Sequence, residues 1–153
     1  MKSLVALALT VLNVNLDNFG TYAGDTLDDA WQVQYFGQPP NANAGPNADF
    51  DGTGQTNLFK YIAGLNPLDG SRFTLSVAPV AGQPAQKNVI FTPRPTDRTY
   101  TVTFKTAFKT AFNAATWTPL PGGIVTDNSQ QRTVTDPAAT GAKKFYHIEI
   151  TKP

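Results

Sequence analysis

Cysteine is absent from the sequence, and histidine and glutamate occur once each, as His147 and Glu149. Without cysteine there is neither a disulfide framework nor a thiolate metal site, although that absence does not by itself place the protein in the cytosol. One histidine cannot supply the three or four nitrogen or sulfur ligands that zinc sites use. Serine is scarce, at positions 3, 71, 76 and 129. None sits in a Gly-x-Ser-x-Gly elbow, so a nucleophilic triad is hard to assemble. No apolar run approaches the roughly 20 residues that span a bilayer. Nor is there an excess of one charge: the formal net charge is +1. The basic residues are scattered singly and not clustered with stacking aromatics, which argues against a nucleic-acid partner.

Turn and strand chemistry is abundant. Twelve glycines and twelve prolines, with many threonines and asparagines, point away from a helical bundle. The 153 residues suit one ordinary domain, or a small module followed by a β-domain. Residues 1–66 carry two lysines against six aspartates, a net of −4, and residues 67–153 carry ten Lys or Arg against five acids, a net of +5. That asymmetry fits an acidic half followed by a basic β half, and the chain is read as an N-terminal segment over 1–24, a helix–loop–helix over 25–68 and a β-sandwich over 69–153. In the first segment, Lys2 and the apolar run after it resemble a secretory signal, without a clear cleavage site. The alternation Leu12-Asn13-Val14-Asn15-Leu16 reads equally as a first strand.

The stretch that organises the chain is Asp49-Phe50-Asp51-Gly52-Thr53-Gly54-Gln55-Thr56-Asn57-Leu58-Phe59-Lys60. An EF-hand loop places oxygen ligands first, third, fifth, seventh, ninth and twelfth, with glycine sixth for the sharp turn. Asp49, Asp51, Thr53, the Gln55 backbone carbonyl and Asn57 fill the first five of those places, and Gly54 is sixth. The twelfth, normally a bidentate glutamate, is Lys60. The expectation is a calcium ion held by those five residues, or by a water that Asn57 positions. Lys60 lies off the apolar helix face and is expected in solvent. With only two carboxylates the affinity belongs at the weak end, roughly 10⁻⁴–10⁻³ M. The alternative is an ion-free turn of Asp, Asn and Gly that caps a helix.

Thr26-Leu27-Asp28-Asp29 opens a helix over 26–36 with capping-box-like chemistry. Leu27, Trp31 and Tyr35 run down one face, and Gly37 stops it. A loop without regular structure over 38–46 leads to the calcium loop. Behind that loop, Leu58, Tyr61, Ile62 and Leu65 mark a second helix, closed by Gly64 and Pro67. Trp31, Tyr35, Leu58, Tyr61 and Ile62 are expected to be buried together. Six strands follow: around Phe73–Val77, Val89–Phe91, Tyr100–Phe104, Ile124–Val125, Thr133–Thr135 and Tyr146–Ile150. Short strands between such turns predict a mainly β, antiparallel sandwich. Tyr100, Val102, Tyr146, Ile148 and Ile150 should face inward. His147 and Glu149 share the opposite face, where a solvated strand is the expectation and a catalytic base the alternative. Phe104-Lys105-Thr106-Ala107 repeats as Phe108-Lys109-Thr110-Ala111, echoed by Phe112-Asn113-Ala114-Ala115.

With these pieces in place, the chain resembles the C-terminal region of large secreted proteins of Verrucomicrobia and related bacteria. The resemblance covers roughly residues 25–151. It rests on Asp29-Ala30-Trp31-Gln32-Val33-Gln34-Tyr35-Phe36-Gly37, Asp49-Phe50-Asp51-Gly52-Thr53-Gly54 and Asn57 through Gly64-Leu65-Asn66-Pro67, which look dockerin-like or thrombospondin type 3-like. It continues in Tyr100-Thr101-Val102, Trp117-Thr118-Pro119-Leu120, Thr133-Val134-Thr135-Asp136 and Phe145-Tyr146-His147-Ile148-Glu149-Ile150, which look like a fibronectin/immunoglobulin-like sandwich. Such loops usually carry Asp where Thr53 stands and Glu where Lys60 stands. A second loop often precedes the first helix, and here only Asp25 and Asp29 survive of it. The resemblance implies a secreted, calcium-stabilised accessory or interaction module with a protein or carbohydrate partner. A small calcium-dependent hydrolase of lactones or esters, using an open coordination position as Lewis acid, is the alternative.

Overall fold

The structure, a computed structural model, describes residues 22, 24–106, 116–140 and 144–153. Most of the 1–24 segment and most of the Phe104–Ala115 repeat therefore lie outside the described residues. The described chain is mainly β, with two antiparallel sheets and two short α-helices. Its contacts divide it into two units. One takes in the described residues through Tyr61 together with Leu65–Ser71, and the other Ile62–Gly64 with Arg72–Pro153.

In the first unit, helix α1 spans Asp29–Phe36, a 3-10 turn spans Ala42–Ala44, and α2 begins at Asn57 and runs to Ala63. The first helix starts three residues later than the sequence suggests. Asp25 Oδ1 accepts the Leu27 amide at 2.8 Å, which holds 25–27 in a turn. Asp28 then becomes the N-cap, accepting Trp31 N–H at 2.9 Å. Gly37 closes α1 at φ 79°, and its N–H reaches the Val33 carbonyl. The connection expected to lack regular structure contains the 3-10 turn, because the Asn41 side chain accepts Asn43 N–H at 3.0 Å and caps it.

The packing of this unit corrects a second expectation. Trp31, Tyr35, Leu58, Tyr61 and Ile62 are half-buried, not enclosed. Trp31 makes tilted or edge contacts with Tyr35 and Tyr61, at centroid distances of 5.0 and 5.5 Å. The fully enclosed side chains include Gln32, Asn57 and Lys60. A unit this small has little apolar volume to share, and polar groups stand in its interior beside Leu27, Ala44 and Leu65, with the Gln32 and Asn57 side-chain oxygens buried without a hydrogen-bond partner.

In the second unit, β1 (Thr74–Val80), β2 (Gln83–Thr92), β6 (Arg132–Asp136) and β5 (Ile124–Asp127) form one sheet in the order β1-β2-β6-β5. The other sheet is β4 (Thr118–Pro119), β3 (Thr99–Lys105) and β7 (Phe145–Thr151), in the order β4-β3-β7. Strand β2 begins well before Val89, where the sequence suggests it. Pro84 reads as a strand breaker, but it lies where the β1–β2 ladder shifts register after Pro79. The two-residue β4 has no hydrophobic alternation to announce it. Val89, Phe91, Val102 and Val134, drawn from both sheets, form the core, with Phe73, Tyr100, Leu120, Tyr146 and Ile148 packed against them. Tyr100, Val102, Tyr146 and Ile148 thus face inward as expected. Ile150 is half-buried outside that cluster, and His147 faces out.

Candidate functional site

The Asp49–Lys60 loop turns on two glycines with positive φ, Gly52 at 66° and Gly54 at 80°, a backbone region that side chains with a Cβ rarely occupy. This brings Asp49, Asp51 and Thr53 together. Asp49 Oδ1 accepts the Thr53 amide at 3.0 Å, and its Oδ2 accepts the Gly54 amide at 2.7 Å. The Thr53 hydroxyl donates to Asp51 Oδ1 at 2.9 Å, with Asp49 Oδ1 at 3.3 Å. Asp51 Oδ2 accepts Gly70 N–H at 3.0 Å. The segment expected to start the β half is thereby tied back to the loop. Ser71 adds to this tie, its hydroxyl donating to the Asn66 carbonyl at 3.0 Å.

The same Asp51 oxygen takes the Lys60 ammonium. Lys60 does not reach solvent: it is 1% exposed. The stripe of Leu58, Tyr61 and Ile62 was read correctly as leaving Lys60 off the apolar face. However, that neighbouring face, shared with Asn57 three residues earlier, looks into the unit and not into water. The Asp51 carboxylate draws the ammonium inward. Burial pushes the Asp51 carboxyl up, but hydrogen bonds from Lys60 and Thr53, the Lys60 charge and the Gly70 amide outweigh it and hold the pKa down at about 2.

Calcium asks for six to eight converging oxygens at about 2.3–2.6 Å. The donor set does not fit that demand as arranged. Both Asp49 oxygens accept backbone N–H groups, and Asp51 Oδ2 holds an ammonium. Asn57, the ninth-place residue, donates through Nδ2 to the carbonyls of Asn43 and Gly45 at 2.7 and 2.9 Å, while its Oδ1, the atom that would ligate, is buried without a hydrogen-bond partner. Gln55 is half-buried in the same loop. Among the described residues, no three of His, Cys, Asp and Glu converge on one point.

Gln32 was not singled out by sequence pattern. It is fully buried, and its Nε2 donates to Asp25 Oδ2 and to the Ala44 carbonyl, both at 2.9 Å. Two buried amides, one from each helix, therefore grip the successive carbonyls of residues 43, 44 and 45. Asp25 serves as an anchor for Gln32. A mid-helix glutamine beside a tryptophan carries no motif, so no sequence signal announces this clamp.

In the second unit, His147 packs beside the Trp117 ring with centroids 5.0 Å apart, and its Nδ1 lies 3.3 Å from the Thr103 hydroxyl. Among the described residues it has no carboxylate partner; Glu149 stands exposed two places along. Asp136 is a different matter, being 1% exposed. Its Oδ2 accepts Lys144 Nζ at 2.8 Å and the Tyr146 hydroxyl at 2.7 Å, while Oδ1 accepts Ala138 N–H at 2.9 Å. Burial raises the Asp136 pKa, but Lys144, the Ala138 amide and Tyr146 together bring it below the usual carboxylate value. A slot of about 190 Å³ opens beside Tyr100, Leu120, Val125, Arg132 and Val134. Its one cation, Arg132, is paired bidentately with Asp127 at 2.7 and 2.8 Å. No family model matches the chain, and no curated protein or solved structure is similar enough to assign it a family.

Proposed function

We propose that the chain is a non-catalytic accessory module of a secreted bacterial protein, in which a helix–loop–helix unit accompanies a fibronectin/immunoglobulin-like sandwich. One observation carries this reading: the loop carboxylates are spent on the protein's own donors. Asp49 accepts two backbone amides, and Asp51 accepts Thr53, Gly70 and Lys60. A loop closed in this way is a staple. It offers no open position at which a substrate carbonyl would be polarised, which the hydrolase alternative needs. The resemblance supplies the secreted setting and the expectation of a protein or carbohydrate partner.

The test is a turnover assay on a panel of small esters and lactones, run in calcium and in chelator. No turnover above the uncatalysed rate is expected in either. Saturable turnover that disappears in Asp51→Asn would overturn the proposal.

A further inference from the structure

We infer that the Lys60 ammonium is the resident cation of the Asp49–Lys60 loop, standing in for both a divalent ion and its twelfth-place ligand, so that this unit folds without calcium. The inference deepens the module reading, since it concerns how the same loop is held together.

Charge is the first argument. A twelfth-place glutamate together with a divalent ion contributes one net positive charge, and a lysine at that place contributes the same. One substitution can therefore replace ligand and ion at once and leave the charge balance with Asp49 and Asp51 unchanged. Reach is the second argument. Lys60 sits on α2 immediately behind the loop, is 1% exposed, and contacts Asp51, whose side chain is 7% exposed. A buried ammonium needs a buried partner, and this pair meets that need.

The third argument is independent of lysine. A loop built around a metal presents acceptors to it. Here the fifth-place side chain is a hydroxyl that donates, to Asp51 Oδ1 at 2.9 Å. The backbone amides of Thr53 and Gly54 also donate inward, to Asp49. The Thr53 hydroxyl and the Thr53 and Gly54 amides thus face the loop carboxylates as donors, and Asn57 Oδ1 is left as the one buried side-chain acceptor of the five expected ligands without a hydrogen-bond partner.

The experiment compares wild type, Lys60→Glu and the double variant Thr53→Asp/Lys60→Glu by calorimetric titration with calcium chloride. Thermal melts are recorded in chelator and in about 10 mM calcium, well above the weak range for such loops. Wild type should show no binding heat and melt within about 2 °C in both conditions. Lys60→Glu should melt lower in chelator, bind calcium, and rise by roughly 5–10 °C when saturated. The double variant, with one more carboxylate, should bind about tenfold tighter or better. If Lys60→Glu does not fold in chelator, recovery of the folded circular dichroism spectrum on adding calcium is the same positive result. Calcium binding by wild type, or a calcium-dependent wild-type melt, overturns the inference. So does failure of both variants to respond to calcium, because the loop would then not be a cation site at all. Neither result bears on the turnover assay, so the inference and the module reading fail separately.

Discussion

Removing the ammonium while keeping its stem, as in Lys60→Met, should lower stability by about 2–4 kcal/mol. Breaking a buried pair by deleting one partner costs about 3–5 kcal/mol in the general case, because the other charge is left uncompensated. Asp51 would not be wholly abandoned here, since Thr53 and Gly70 still donate to it, which lowers the expectation. The carboxyl itself gives a second bound. Burial raises its pKa, yet Lys60, Thr53 and Gly70 bring it from 3.8 to about 2, and at 1.36 kcal/mol per unit that corresponds to about 2 kcal/mol net of the burial penalty. Because the folded-state pKa lies below the unfolded value, this contribution is complete above about pH 4 and is lost as pH falls toward 2. Urea unfolding at neutral pH measures the loss, and a double-mutant cycle with Asp51→Asn isolates the pair. The double variant should be less damaged than the sum of the two singles. A loss under about 1 kcal/mol in Lys60→Met, or strict additivity in the cycle, would refute the picture of a loop held by its own cation.

Gln32→Met keeps the shape of the buried side chain but strips its donors from Asp25 and Ala44, and should cost about 1–3 kcal/mol by urea unfolding. The same experiment on exposed Gln34 should show almost nothing. Asp136 supplies the clearest pH signature in the second unit. Its folded pKa is depressed, so its stabilisation is present above the unfolded value of about 3.9 and fades as pH drops below it. Asp136→Asn should therefore be less stable than wild type at neutral pH, and the gap should narrow in acid-unfolding curves below about pH 4.

The β half was legible because alternation and turn chemistry act at short range. Tyr100 and Val102, then Tyr146 and Ile148, alternate along their strands, and they pair across the same ladder. The first unit was less legible because its apolar periodicity is a poor guide to its interior. The stripe of Leu27, Trp31 and Tyr35 located α1, but the centre of the unit is Gln32, Asn57 and Lys60. Buried polar residues are placed by partners distant in sequence. Gln32 finds Ala44 and Asp25, and Asn57 finds Asn43 and Gly45. Nothing within a helical turn of either residue encodes those partners.

Spacing marks out the loop, but Lys60 lies where that pattern does not put it, buried and not in solvent, and the reason is physical. A ligand pattern scores each place for an oxygen, so Lys60 counts as a missing acceptor and is sent to solvent. The loop is instead a closed set of carboxylates that must be satisfied by something positive or by hydrogen-bond donors. At the two places where this chain departs from the loop pattern, Thr53 carries a hydroxyl that donates and Lys60 an ammonium. Each of these donors reaches Asp51. The departures are better understood together, as one coordinated replacement of an external ion by groups of the chain.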